Sequence, residues 1–245
     1  SLFFYAWGEP LFVFIMIGVT FINHFMVLLI DKFIVKSESS AENAAHYKRL
    51  AKTVLTGTVI LDLLMFFVFK YLNFAISNVN SLFSLFGAEE VIPQTNIALP
   101  IGISFYTFQL LTYVVDVYRG EVPAQKSFWK VLLYAGLFHQ CVAGPIVRYG
   151  DVENELTERT SNIDDISTGV GRFCFGLAKK AVLANACGAV VDALLITDAD
   201  IGDGAMLAAN ISALEGRSAL TLWMGMAFYM LQIYLDFSAY SDMAI

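Results

Sequence analysis

Charged side chains are scarce in this sequence. They make up 15% of its 245 residues, against 58% hydrophobic residues, whereas an ordinary soluble domain has about 25% charged and 45 to 50% apolar residues. The deficit excludes a soluble enzyme surface and makes lipid the solvent. A hydrocarbon core about 30 Å thick needs roughly 20 mostly apolar residues per helix, and several such runs can be marked. Cysteine is nearly absent as well: Cys141, Cys174 and Cys187 stand far apart among apolar residues, with no CxxC pair. That excludes a disulfide framework and a thiolate metal site, and leaves three small buried hydrophobes. The sequence also has no GxSxG elbow, Walker loop, HExxH pair or zinc-spaced cluster, no inverted repeat and no low-complexity run. The formal charge of -7 argues against a nucleic-acid partner, although in a membrane protein the placement of charge matters more than its sum. Ser1 is not an initiator Met and Ile245 closes a hydrophobic run. The expectation is therefore a piece of a longer polypeptide, incomplete at both ends, in which no signal peptide can be judged.

What is present is a series of apolar runs with basic residues between some of them. Leu11–Ile30 reads as a first span, preceded by Trp7, Gly8, Glu9 and Pro10, an interfacial aromatic and a helix-starting proline. Asp31–Lys52 reads as a polar loop whose Lys32, Lys36, Lys48, Arg49 and Lys52 mark it as cytoplasmic. Val54–Tyr71 is a second span, followed by an external loop up to Thr95 with Glu89, Glu90 and Pro93; Ile97–Val117 is a third span. The run Val131–Val147 is short, is broken by Gly144 and Pro145, and has basic residues on both flanks. A re-entrant element that enters and leaves on one side is the economical reading. Further spans are expected over Ala181–Thr197 and Ala219–Leu235, with Asp198, Asp200 and Asp203 outside. The fold class is all-α, a polytopic transmembrane helical bundle with a re-entrant element, forming one membrane-embedded domain over 1–245.

Polar groups at membrane depth are the candidate functional residues, because an intramembrane carboxylate costs about 2.5 to 3.5 kcal/mol on insertion scales unless it meets a partner or a cavity. Asp236, Ser238, Tyr240, Ser241 and Asp242 surround much of the last helical turns, so that segment lines protein or water; an interfacial helix end is the plain alternative. Lys179 and Lys180, a basic pair between apolar stretches, suit an anionic group such as a phosphate, or snorkel to the cytoplasmic interface. Arg148 follows the Gly144, Pro145 break and suits an anion, or pairs with Asp151 or Glu153. Gln109 and Asp116 share one face of the third span, where interhelical hydrogen bonding accounts for Gln109. His46 falls in the polar loop, and His24, beside Asn23, bonds across helices. His139 with Cys141 makes a poor nucleophile pair, since i and i+2 do not face each other on a helix and the apolar surround raises a thiol pKa.

Five stretches stand in order: FYAWGEP, LPIGISFYTFQLLTYVVDVYRG, AGPIVRY, FGLAKKAVLAN and QIYLDFSAYSDMAI. Together they resemble the bacterial branch of the membrane-bound O-acyltransferase family, nearest the alginate O-acetyltransferase type. The resemblance implies transfer of an acetyl or other acyl group from a cytoplasmic donor, acetyl-CoA or another thioester, to hydroxyls of an exported cell-surface polysaccharide such as alginate. It also implies a place in the bacterial inner (cytoplasmic) membrane and a periplasmic or extracellular acyltransferase partner protein. Asp236, Ser238, Tyr240, Ser241, Asp242 and Gln109 would line the tunnel, while Arg148, Lys179 and Lys180 would contact the donor or its phosphates. No cofactor stays bound and no metal is implied. The family's catalytic histidine, in a Trp-His-Gly context, is expected beyond Ile245; His139 stands where the family pattern has a proline and takes no catalytic role. The competing reading is a polytopic transporter or flippase for a cell-envelope precursor, for which membrane-embedded aspartates would also be natural.

Overall fold

The computed structural model describes residues 2–39, 41–85, 92–95, 97–138, 144, 146–157, 162–195 and 204–244, and all regular structure among them is helical. The chain divides into two compact units, Ser1–Thr160 and Ser161–Ile245.

The first unit is built on α1 (Leu2–Gly8), α2 (Phe12–Ser39), α3 (Ala44–Ser84), α4 (Ile103–Arg119), α5 (Phe128–Ala135) and α6 (Tyr149–Thr157). α2 and α3 are joined by the 3-10 turn Ala41–Asn43 and pack along each other. The polar loop expected over Asp31–Lys52 is thus mostly helix. Its residues are polar but helix-forming, with no Gly or Pro from Asp31 to Thr56, so the chain leaves lipid without leaving the helix. α3 likewise runs on to Ser84, beyond the expected Tyr71. The third expected span begins late: Pro100 and Gly102, the latter at φ 74°, keep the chain non-helical until Ile103, and Gly120 at φ 75° ends α4. At 17 residues α4 is roughly 26 Å long. α5 has only eight residues, far short of a span. The expected re-entrant element continues from it into residues that lie partly outside those described. A core of Val27, Ile30, Leu110, Tyr113, Val114, Val131, Tyr134 and Tyr149 closes this unit.

In the second unit α7 (Ile163–Ala178), a π-helical turn (Lys179–Ala184) and α8 (Asn185–Leu195) form one continuous helix, followed by α9 (Gly204–Glu215) and α10 (Ala219–Ala244). α7 starts on a capping box. Asn162 Oδ1 accepts from the Ile163 N–H, and Asp165 accepts from the Asn162 N–H. The span expected from Ala181 therefore begins 18 residues earlier, at Ile163. Arg172, Lys179 and Lys180, expected on its cytoplasmic flank, lie within the helix. α10 opens with the Thr221 N–H donating to Ser218 Oγ, and Arg217 donates to the last carbonyls of α8, on Ala193 and Leu194, at 2.7 and 2.8 Å. Among the described residues three helices are long and apolar enough to cross a membrane: Phe12–Ser39, Ala44–Ser84 and Ile163–Leu195. The expected span Ala219–Leu235 falls inside α10, whose 26 residues have the length but which is not among those three.

Candidate functional site

α10 packs antiparallel to α7 and α8, and glycines set how closely. A Cβ on Gly176 would lie 2.8 Å from the carbonyl oxygen of Ala239, and one on Gly225 would lie 2.6 Å from Leu195 Cδ2. Small residues let membrane helices approach in this way. The close approach brings the lysine pair onto the polar end of α10. Lys179 Nζ donates to Asp242 Oδ2 at 2.5 Å and to Ser238 Oγ at 3.0 Å, and lies 5.3 Å from the centre of the Phe175 ring. Ser238 and Asp242 are four residues apart and present one face. Lys180 Nζ donates to Asp236 Oδ1. Both lysines sit where the helix widens into its π turn, a feature often found at functional positions.

The two pairs differ in environment. The side chains of Lys179 and Asp242 are 17% and 24% exposed, while those of Lys180 and Asp236 are 46% and 50% exposed. Lys179 therefore has its donors committed to oxygens and a ring, whereas Lys180 retains donor directions open to a ligand. Tyr240 and Ser241 are half-buried on the same helix. Beside Ser238, an open apolar groove of about 390 Å³ runs along Met230, Ile233, Tyr234 and Phe237.

The other expected site residues belong to the first unit. Gln109 is buried, and its Nε2 reaches the Tyr134 carbonyl at 3.5 Å, between α4 and α5. Arg148 lies 3.8 Å from Glu121, which also meets Arg119 at 3.7 Å. Its acid is thus Glu121, instead of Asp151 or Glu153, and all three groups are about half exposed, so the contacts are worth little. Next to it a tyrosine cluster ties α4, α5 and α6 together. Gln125 donates its backbone N–H to Tyr113 Oη and its Nε2 to Tyr149 Oη, Tyr134 donates to the Val147 carbonyl, and the Tyr113 and Tyr149 rings are 4.7 Å apart. Burial pushes the Tyr149 phenol above its ordinary value. His139 and Cys141 lie outside the described residues. Cys174 is exposed on α7, against the expectation of burial, and Cys187 is half-buried.

One polar pair escaped the sequence reading. Asn23 Nδ2 donates to Asp62 Oδ1 at 2.9 Å between α2 and α3, with both side chains buried. Among the described residues Asn23 Oδ1, Asp62 Oδ2 and His24 Nδ1 have no hydrogen-bond partner. The signal was a single carboxylate in the middle of an apolar run.

The resemblance carried by the motifs is matched by curated relatives. The chain is 33% identical over 99% of its length to a probable alginate O-acetylase AlgI of Pseudomonas aeruginosa, covering 41% of that protein. To the protein of the same name from Azotobacter vinelandii it is 33% identical over 99% of its length, covering 43%. A peptidoglycan O-acetyltransferase of Helicobacter pylori is 27% identical across the whole chain, which covers 45% of it. The chain thus spans less than half the length of these relatives. No family model and no solved structure matches it.

Proposed function

We propose that this chain, related along its whole length to bacterial O-acetylases, is a membrane-embedded part of a membrane-bound O-acyltransferase that esterifies hydroxyls of an exported cell-surface polysaccharide. The observation that carries this reading is the match across at least 99% of the chain to proteins named for two different glycans, alginate and peptidoglycan. Common to both names is acetyl transfer to a glycan. In the finer reading the acyl group comes from a cytoplasmic thioester, acetyl-CoA or another, crosses the bacterial inner membrane through the helical bundle, and reaches the polymer with an extracytoplasmic acyltransferase partner.

The residues of the second unit fit the wall of such a passage. Acyl transfer needs a base at the acceptor hydroxyl, a polar path, and dry surroundings that favour transfer over hydrolysis of the donor. Lys179, held between Ser238, Asp242 and the Phe175 ring, fixes that wall and does not serve as the base. Lys180, half exposed beside Asp236, is the better candidate to meet a passing anionic donor. The resemblance assigns the base to a histidine in a Trp-His-Gly context, a pattern that this sequence does not contain. In cells lacking the complete protein, the exported polysaccharide should keep its chain length and lose its ester-linked acyl groups. Loss of polymer export with unchanged acyl content would overturn this reading in favour of transport.

A further inference from the structure

α3 has two opposite faces. One carries Ala51, Thr58, Asp62 and Ile76, all buried. The other carries Arg49, Lys52, Thr53, Thr56, Gly57 and Ile60, which line an open groove of about 550 Å³. Gly57 leaves a shallow notch in that row of side chains, open to its surroundings, since a Cβ built there meets nothing within 4 Å. Thr53 and Thr56 turn their hydroxyls back to the carbonyls of Arg49 and Lys52 at 3.0 and 2.9 Å, which presents their methyl groups to the groove. Below Ile60 the face continues with Leu64, also exposed. Arg49 and Lys52 have no carboxylate partner among the described residues.

The dimensions match a lipid in one leaflet. Ile60 lies 11 positions after Arg49, roughly 16 Å along the axis, about half of a ~30 Å hydrocarbon core. Cations stand at one end, a side-chain gap lies in the middle, and branched apolar side chains stand at the other end. Below them Lys70, held over the Phe66 and Tyr71 rings, bounds the apolar part of the helix. We propose that this groove is a binding site for an anionic phospholipid, its phosphate held by Arg49 and Lys52 and one acyl chain lying in the notch at Gly57 against Ile60 and Leu64. Charge complementarity selects the headgroup, since basic residues at the membrane surface attract anionic lipid, and Arg adds a planar donor fork suited to phosphate. The notch selects a chain attached to that phosphate, which a free phosphate lacks.

The test uses the complete protein in bilayers of phosphatidylcholine with about one part in five phosphatidylglycerol, and reads the preference of the protein for spin-labelled phosphatidylglycerol over spin-labelled phosphatidylcholine. The double variant Arg49→Gln, Lys52→Gln should lower that preference on the order of tenfold. Gly57→Phe keeps both cations and fills the notch, and it should lower the preference by at least a fewfold while the unfolding temperature stays unchanged. A preference retained in Gly57→Phe would reduce the effect to diffuse surface charge and overturn the site. Absence of any preference in the wild type, or displacement of the labelled lipid by inorganic phosphate, would overturn it as well.

Discussion

At the scale of single residues, exposure decides which ion pair matters. Removing Lys179 leaves a mostly buried Asp242 without its charged donor, a loss of about 1.5 to 3 kcal/mol for a hydrogen bond to a charged group. Removing Lys180 disturbs a half-exposed pair worth about 0 to 1 kcal/mol. Unfolding of the purified protein should therefore shift clearly with Lys179→Ala and little with Lys180→Ala, and the reverse order would contradict the geometry. Asn23→Ala should destabilise by about 1 to 3 kcal/mol, because it strips the Asn23 hydrogen bond from the buried carboxylate of Asp62. A denaturation midpoint equal to wild type would show that this pair is not closed in the protein. Much of the polar end of α10 was legible in the sequence, since carboxylates near the end of an apolar run must find partners. That those partners are the Lys179 and Lys180 pair was not legible. Pairing across some 60 residues depends on how two helices meet, and the spacing of neither motif contains that.

At the scale of elements, polarity and helix breaking proved to be different signals. The stretch Asp31–Lys52 is polar and yet, apart from the turn between α2 and α3, mostly helical, while the apolar stretch before Ile103 is held open by Pro100 and Gly102. The start of α7 is fixed by the capping box between Asn162 and Asp165, which the expected start at Ala181 did not use. Glycine roles were less legible, because only the packed structure tells a contact glycine from a free one. Gly176 faces the Ala239 backbone, which cannot rotate aside, whereas Gly169 on the same helix has nothing within 4 Å of its Cβ direction. Gly176→Ala should therefore push α7 from α10 and lower stability. Gly169→Ala should leave stability level or raise it by about 0.4 to 1 kcal/mol. Thermal unfolding of the two variants side by side checks the contrast.

At the scale of the whole molecule, motifs far apart in the chain meet within each unit. In the first, FYAWGEP meets LPIG, where Tyr5 Oη donates to the Ile101 carbonyl and Glu9 accepts from the Ile101 N–H. In the second, the lysine pair meets DFSAYSD. By the positive-inside rule the expected side of the α2–α3 connection, beside which Lys48, Arg49 and Lys52 stand, is the cytoplasmic one. A cysteine introduced at Glu42 in a cysteine-free background should resist an impermeant thiol reagent in intact cells, and one at Ser84 should react. The function itself is tested most directly by feeding a labelled acyl thioester to the cytoplasmic face of vesicles that contain the complete protein, its partner and the polymer. Label appearing in ester linkage on the polysaccharide, and lost in the vesicles without the protein, is the predicted result. Polymer that emerges unlabelled, or is labelled equally without the protein, would contradict an acyltransferase.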